Sequence, residues 1–239
     1  MKTIRLFCLP FAGGNKYSYR EFEEKMPPFI RPVALEYPGR GARIREPLVA
    51  SLPDLTDDLF AAIKNKLNEG DYAIFGHSMG GLVALLLARK IAGEGYPPPM
   101  HLFITGTTGP FAYAREGRAR HKLPKQEFIQ EIKELDGSPD EILQNEDLLN
   151  YFEPILRSDF KAAETYEYEK SRPLDVPFTV ITGTEEDMTE EDILTWQMET
   201  TRRVDFRKMK GKHFFIFDHS DTIIGIISQK ISQPIIPIS

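Results

Sequence analysis

Gly76-His77-Ser78-Met79-Gly80-Gly81 decides the fold, because this stretch joins a strand-like run to a helix-like one. The apolar residues Tyr72–Phe75 precede it, and the helix-like run Leu82–Lys90 follows it. A strand, Gly-x-Ser-x-Gly and a helix in this order form a nucleophile elbow, a tight turn that exposes the serine hydroxyl at the carboxyl end of the strand. The helix then directs its N-terminus at developing negative charge. We therefore predict that Ser78 is a nucleophile, because a plain glycine-rich turn would leave the exposed serine unexplained.

Apolar, β-rich runs alternate with helix-like segments along the rest of the chain. The predicted strands are Thr3–Leu9, Arg31–Leu35, Tyr72–Phe75, Leu102–Thr105, Phe178–Thr182 and Val204–Met209. The predicted helices are Tyr19–Lys25, Leu52–Asn68, Met79–Gly93, Asp192–Thr200 and Asp221–Ile231. Such alternation indicates an α/β protein with a mostly parallel central sheet flanked by helices. Together with the elbow it predicts a single α/β-hydrolase domain over residues 1–239.

The stretch 111–172 breaks this alternation, because it contains no convincing strand. One helix is predicted over Lys125–Leu135, closed by Gly137, and residues 138–141 resemble the cap of the next. A third is expected to begin near Asn145 or Glu146, with Pro154 interrupting or kinking it before Ser158–Tyr168 resumes. We predict that this insertion is a helical lid at the active-site side of the sheet. The alternative is a bundle that packs on the core and never moves.

Composition narrows the classes of function and the compartment. The net charge of −6 provides no basic field for nucleic acid, and the composition is ordinary for a globular protein. The single cysteine, Cys8, excludes an intrachain disulfide and fits a reducing cytosol. The first apolar run is too short for a signal peptide, and no run is long enough to span a membrane. We expect a cytoplasmic enzyme that contacts neither membrane nor nucleic acid.

A nucleophilic serine needs a base, and the base needs an orienting carboxylate. In this fold the acid and then the histidine follow the serine along the chain. His101 begins a predicted strand and His121 lies in the insertion, whereas His213 follows the last predicted strand in a loop at the correct end of the sheet. We predict that His213 is the base, with His219 as the alternative.

The predicted acid lies in the loop after the strand that ends at Gly183. Asp187 is the preferred residue, with Glu186 and Glu185 as competitors, because the sequence does not show which of the three side chains turns inward. A solvated acidic loop is the other interpretation of three consecutive acids. The position of this loop one strand before His213 favours a catalytic carboxylate.

Two backbone amides are predicted to stabilise the oxyanion that attack on a carbonyl generates. One belongs to Met79, the residue after the nucleophile. The other is expected from Ala12, in the Leu9-Pro10-Phe11-Ala12-Gly13-Gly14 stretch that ends the first strand with small residues. The histidines are scattered, and the sequence contains neither a phosphate-binding loop nor a dinucleotide fingerprint. We therefore expect no metal and no cofactor.

With these residues in place, the chain resembles the type II thioesterases, the free-standing editing enzymes of polyketide and nonribosomal peptide assembly lines. The similarity extends from Thr3 to about Lys230. It rests on these motifs: the Leu9–Gly14 stretch, Tyr37-Pro38-Gly39-Arg40-Gly41, the elbow, Leu156-Arg157-Ser158-Asp159-Phe160-Lys161-Ala162, the Gly183–Asp187 loop with Trp196, and Gly211-Lys212-His213-Phe214-Phe215. One departure is Thr184, where members often have a second glycine, and it affects the identity of the acid more than the reaction.

The resemblance implies a triad of Ser78, Asp187 and His213, with Ala12 and Met79 at the oxyanion hole. It also implies hydrolysis of acyl groups from the phosphopantetheine arm of acyl or peptidyl carrier proteins, which would be the partners of a monomeric enzyme. Three alternatives share the fold: an esterase or lipase for free small esters, an acyltransferase, and a non-catalytic binding protein. The binding protein would ordinarily have lost a triad residue, whereas all three are present here in the required order.

Overall fold

A six-stranded parallel sheet forms the centre of the computed structural model, which describes residues 3–112, 117, 119–135 and 145–232. The strands are β1 (Ile4–Leu9), β2 (Ile30–Ala34), β3 (Tyr72–His77), β4 (Leu102–Thr105), β5 (Phe178–Gly183) and β6 (Asp205–Met209). Their order across the sheet is β2-β1-β3-β4-β5-β6, and every neighbouring pair is parallel. All six predicted strands are confirmed, with ends that agree or differ by at most two residues.

Helices connect the strands and cover both faces of the sheet. They are α1 (Arg20–Lys25), α2 (Leu52–Ile63), α3 (Met79–Gly93), α4 (Lys125–Glu134), α5 (Glu146–Glu164), α6 (Glu190–Leu194), α7 (Phe215–Asp218) and α8 (Ser220–Ser232). The predicted helix Leu52–Asn68 ends earlier, because a 3₁₀ turn over Lys64–Lys66 follows α2. The predicted helix Asp192–Thr200 is α6 followed by a 3₁₀ segment, Thr195–Glu199. The α/β-hydrolase architecture predicted from the sequence is confirmed.

Two apolar layers, one on each face of the sheet, form the main core, and a smaller third cluster lies within the insertion. Alternate residues of β3 enter different layers: Ile74 packs with α2 and α3, whereas Phe75 packs with α1 and α8. Every residue of β3 is buried, as expected for a central parallel strand covered on both faces. In the part of the chain that the structure describes, no helix combines the length and apolar character that crossing a membrane requires.

The insertion lies between β4 and β5 and supplies α4 and α5. Asn145 caps α5 by accepting hydrogen bonds from the amides of Asp147 and Leu148. Of the predicted interruption or kink at Pro154, the interruption is wrong, because α5 runs through this residue and ends at Glu164 rather than at Tyr168. A proline removes one backbone donor, and the buried face that carries Ile155 and Phe160 holds the helix together across that position. Gly137, the predicted cap at 138–141 and the tail 233–239 lie outside the described residues.

Candidate active site

The turn between β3 and α3 has the geometry of a nucleophile elbow. Ser78 adopts φ +55°, the one positive φ of a non-glycine residue within the described ranges. A Cβ atom at Gly76 would lie 2.1 Å from the Gly80 carbonyl oxygen, and one at Gly80 would lie 2.4 Å from the Leu9 carbonyl oxygen. Glycine is therefore required on both sides of the serine, and the strained backbone holds Ser78 at the carboxyl end of the sheet.

Three side chains from three loops form a continuous hydrogen-bonded chain. The distance from His213 Nε2 to Ser78 Oγ is 2.9 Å, and that from His213 Nδ1 to Glu186 Oε1 is 2.6 Å. Because a carboxylate only accepts, Nδ1 carries the proton, and Nε2 is free to accept from the serine hydroxyl. This tautomer is the one that a general base for Ser78 needs.

Glu186, and not Asp187, is the acid that contacts His213. Its other carboxylate oxygen accepts from the Gly183 amide at 2.6 Å, and its side chain is 2% exposed. Asp187 is exposed and lines the cavity instead. The amides of Thr184 and Glu185 donate to the carbonyls of Met209 and Gly211, so the loop is attached to the end of β6 and turns position 186 inward. The prediction that Asp187 is the acid is therefore corrected. Glu186, one of its two competitors, is the carboxylate that bonds His213.

The other histidines contact other groups. His101 is buried and bonds Thr179, His121 bonds Glu164 in the insertion, and His219 donates to the Lys210 carbonyl. His77 points away from the serine and bonds Thr105, with its ring centre 4.8 Å from that of His213. Burial, followed by the nearby His213 ring, lowers the pKa of His77 well below its usual range, so His77 remains neutral.

Ala12 and Met79 both lie beside the serine, as an oxyanion hole requires. Both line the cavity that contains Ser78 and His213. Met79 is the first residue of α3, and amides of a first helical turn have no intrahelical acceptor. The turn that contains Ala12 is closed by a 2.9 Å hydrogen bond from the Gly14 amide to the Phe11 carbonyl. Because the Phe11 carbonyl belongs to the same trans peptide as the Ala12 amide, this bond also sets the direction of that amide.

The loop after β4 forms another wall of the site, which the sequence did not reveal. Gly106, Thr107 and Thr108 line the cavity, and the indole nitrogen of the buried Trp196 donates to the Thr107 carbonyl at 2.9 Å. A Cβ atom at Gly106, where φ is +61°, would lie 2.3 Å from the His77 ring. Single small residues after a strand carry no distinctive pattern, so only the fold could identify them.

Two cavities meet at the serine. The larger, about 400 Å³, is bordered mainly by polar and charged side chains, including Glu131, Glu134 and Glu164 of the insertion. The smaller, about 40 Å³, is apolar and lies between Phe11 and Phe214 on one side and Ile132, Leu156 and Phe160 on the other. The insertion therefore covers the nucleophile, and the aromatic Phe160 borders both spaces, whereas Tyr151 is exposed at the surface.

Comparison with known proteins places this chain among enzymes with the same architecture. The thioesterase PikA5 of Streptomyces venezuelae is 33% identical over 230 residues, which cover 96% of this chain and 81% of PikA5. The crystal structure of ClbQ from the colibactin nonribosomal peptide and polyketide pathway matches with a TM-score of 0.90 and 33% identity, over 96% of this chain and 97% of ClbQ. The type II thioesterase BorB from the borrelidin biosynthetic cluster matches with a TM-score of 0.88 and 30% identity, over 96% and 93%.

The thioesterase domain family model matches residues 4–231, nearly the whole chain. The match includes the elbow and the loops that carry Glu186 and His213, so the described site lies inside the shared region. The resemblance to type II thioesterases found in the sequence agrees with these relatives. The chain belongs to the thioesterase domain family.

Proposed function

We propose that this thioesterase hydrolyses acyl groups from the phosphopantetheine arm of carrier proteins in a polyketide or nonribosomal peptide pathway, with Ser78, His213 and Glu186 as its triad. The contact chain from Ser78 through His213 to Glu186 is the observation that carries the proposal. The pathway is supported by ClbQ, which comes from a nonribosomal peptide and polyketide pathway, and by BorB, a type II thioesterase from a biosynthetic cluster. Action in the cytoplasm as a monomer stays a prediction, as does a single domain with residues 111–172 as its lid.

The reaction has two steps. His213 Nε2 takes the proton from Ser78 as the serine oxygen attacks the thioester carbonyl, and Glu186 stabilises the resulting imidazolium. The amides of Ala12 and Met79 stabilise the oxyanion, which collapses to an acyl-serine as the arm leaves as a thiolate and takes up the proton. Water, deprotonated by the same histidine, then attacks the acyl-serine and releases the carboxylic acid, and the proton returns to Ser78.

The cavities fit two parts of such a substrate. The larger space reaches the surface between the insertion and the acidic loop, and it offers room for a long, polar arm. The smaller apolar space beside Ser78 would hold a short acyl group, because its volume is about that of a few methylenes. We therefore expect acetyl and similar short groups to be removed faster than long ones.

The test compares wild type with Ser78→Ala on carrier protein loaded with acetyl or longer acyl groups, followed by intact-protein mass spectrometry. Wild type should release the acyl group, and Ser78→Ala should slow release by about 10⁶-fold, to the background rate. Retention of the acyl group by wild type, with hydrolysis of simple nitrophenyl esters, would support an esterase of the same fold and contradict the carrier-protein role.

A further inference from the structure

Asp159 of α5 reaches across the site and contacts the turn that carries Ala12. Its carboxylate is fully buried, and Oδ2 accepts from the Gly13 amide at 2.7 Å. Arg40, which is 2% exposed, binds both oxygens of the same carboxylate, at 2.5 and 2.6 Å. A residue of the insertion is thereby hydrogen-bonded directly to the backbone next to an expected oxyanion donor.

The backbone on both sides of Ala12 is fixed by buried side chains. The Tyr37 hydroxyl donates to the Pro10 carbonyl at 3.0 Å, and the Arg40 guanidinium lies 5.3 Å from the Tyr37 ring centre. Arg40 also donates to the Gly14 carbonyl at 3.4 Å. These contacts form one buried network around residues 10–14, here called the oxyanion turn.

The conformation of the oxyanion turn explains why an acceptor is needed at Asp159. Gly13 has φ +77° as the third residue of the turn Phe11–Gly14, the position at which a type II turn requires a positive φ. Rotation of the central Ala12–Gly13 peptide interconverts type I and type II turns. In the rotated form the Ala12 carbonyl would replace the Gly13 amide in front of Asp159, and two acceptors would face each other.

A structural role alone does not account for this arrangement. Removing two charges from water is costly, and apolar residues of similar volume often stabilise a core as well as a buried ion pair does. The carboxylate is directed at a single backbone amide of the oxyanion turn, and the Leu156 side chain closes over the same glycine. We propose that Asp159 is a positioning residue that holds the oxyanion turn at its place beside Ser78, where the bond from the Gly14 amide to the Phe11 carbonyl sets the direction of the Ala12 amide, an inference that rests on the proposed function.

The first test is Asp159→Asn, measured by kcat, KM and affinity for a short alkyl boronic acid. The boronate adduct of Ser78 places an oxygen where the oxyanion forms, so its affinity reports on the oxyanion hole without needing a carrier protein. We expect kcat and boronate affinity to fall about 10- to 100-fold, somewhat less than loss of a whole oxyanion donor, with KM within about twofold. Wild-type kcat and wild-type boronate affinity in this variant would overturn the proposal.

A matched control is Glu199→Gln, because Glu199 is also fully buried and is paired with Arg89 and Tyr168. Neither Glu199 nor Arg89 is among the described residues that line the cavities at Ser78. This variant should lose stability as Asp159→Asn does but keep kcat and boronate affinity. Equal losses of kcat in both variants would mean that the Asp159 effect is merely structural.

The double variant Arg40→Met/Asp159→Leu covers the case in which Asp159→Asn does not fold. It removes both charges, so no uncompensated buried ion remains, yet it also removes the acceptor for Gly13. We expect a folded protein with the same 10- to 100-fold loss of boronate affinity, and wild-type affinity would overturn the proposal. If wild type binds the boronic acid but leaves acylated carrier protein intact, the proposed function fails while the role of Asp159 can still be measured.

Discussion

Glu186 is held from two sides, by the Gly183 amide and by His213 Nδ1. The first contact fixes the carboxylate on the backbone of its own loop, and the second directs it at the imidazole. A carboxylate held in this way keeps the imidazole in one tautomer and one orientation, which is what the third residue of a triad does. We therefore predict that substitution at position 186 lowers kcat more than substitution at either neighbouring position.

Glu186→Gln should lower kcat by roughly 10³- to 10⁴-fold, because the amide can stabilise the wrong histidine tautomer and cannot stabilise the imidazolium. The matched control is Asp187→Asn, which removes an exposed charge from the same loop and should leave kcat within about twofold. Steady-state hydrolysis of an acyl thioester measures both. A large loss with Asp187→Asn and none with Glu186→Gln would restore Asp187 as the acid.

The loop shows why the sequence could narrow the acid to three residues but not choose among them. The acidic loop could be selected because it follows β5 and precedes His213 in the chain. Which side chain turns inward depends on hydrogen bonds from Thr184 and Glu185 to the end of β6, a strand that lies more than 20 residues further along the chain. Such a contact leaves no local pattern, whereas Ser78 and His213 were recognised because their neighbours carry the pattern.

At the scale of elements, the start of α3 lies in close contact with the end of β1. A Cβ atom at Gly80 would lie 2.4 Å from the Leu9 carbonyl oxygen and 2.7 Å from that of Pro10. This backbone-to-backbone contact brings the N-terminus of α3 to the start of the oxyanion turn. The two halves of the expected oxyanion hole therefore depend on one helix–strand contact.

Gly80→Ala should destabilise the protein by about 2–3 kcal/mol or more, because backbone atoms cannot move aside as a flexible side chain can. Gly93→Ala is the control on the same helix, since nothing lies within 4 Å of a Cβ atom at that position. It should stabilise the protein by about 0.5–1 kcal/mol, through the better helix propensity of alanine. Urea denaturation measures both, and a wild-type midpoint for Gly80→Ala would contradict the packing argument.

The bounds of helices and strands could be predicted where the apolar pattern is strong. Where the prediction failed, the failure has a physical reason. The bounds of α3 and β4 agree with the prediction at both ends, because continuous apolar runs define them. Pro154 misled the prediction of α5, since local propensity favoured a break while tertiary packing of Ile155 and Phe160 kept the helix continuous.

Across the whole molecule, buried histidines link stability to pH. Burial lowers the pKa of His101 to about 3, and the pKa of His77 is also well below its usual range. The unfolded chain, with an ordinary histidine pKa near 6.5, therefore takes up protons as the pH falls below that value while the folded chain does not. The contribution of these buried histidines to the free energy of unfolding is fully present above about pH 6.5. It decreases as the pH falls from there towards 3.

Between pH 7 and pH 5, His101 should reduce the free energy of unfolding by about 2 kcal/mol. In His101→Gln, where the amide can still bond Thr179, the decrease over this range should be smaller by about that amount. An unchanged slope in His101→Gln would contradict a neutral, buried His101.

At the scale of the whole molecule, the sequence predicts a contact between distant residues only where a known rule of the fold pairs them. Ser78 and His213 are 135 positions apart, yet the known chain order of the fold allowed them to be paired in advance. Arg40 and Asp159 are 119 positions apart, and both belong to motifs noted in the sequence, but no general rule pairs them. Their contact became visible only when α5 was seen lying over the oxyanion turn.

Trp196 is the single tryptophan of the chain, and its buried indole bonds the carbonyl of a residue that lines the cavity. The tryptophan fluorescence of the protein, excited selectively over that of its tyrosines, therefore comes from one known position beside the active site. Its emission should report global unfolding without a label, and a ligand that displaces the loop after β4 should change its intensity. The wild-type enzyme thus carries its own optical probe of substrate entry.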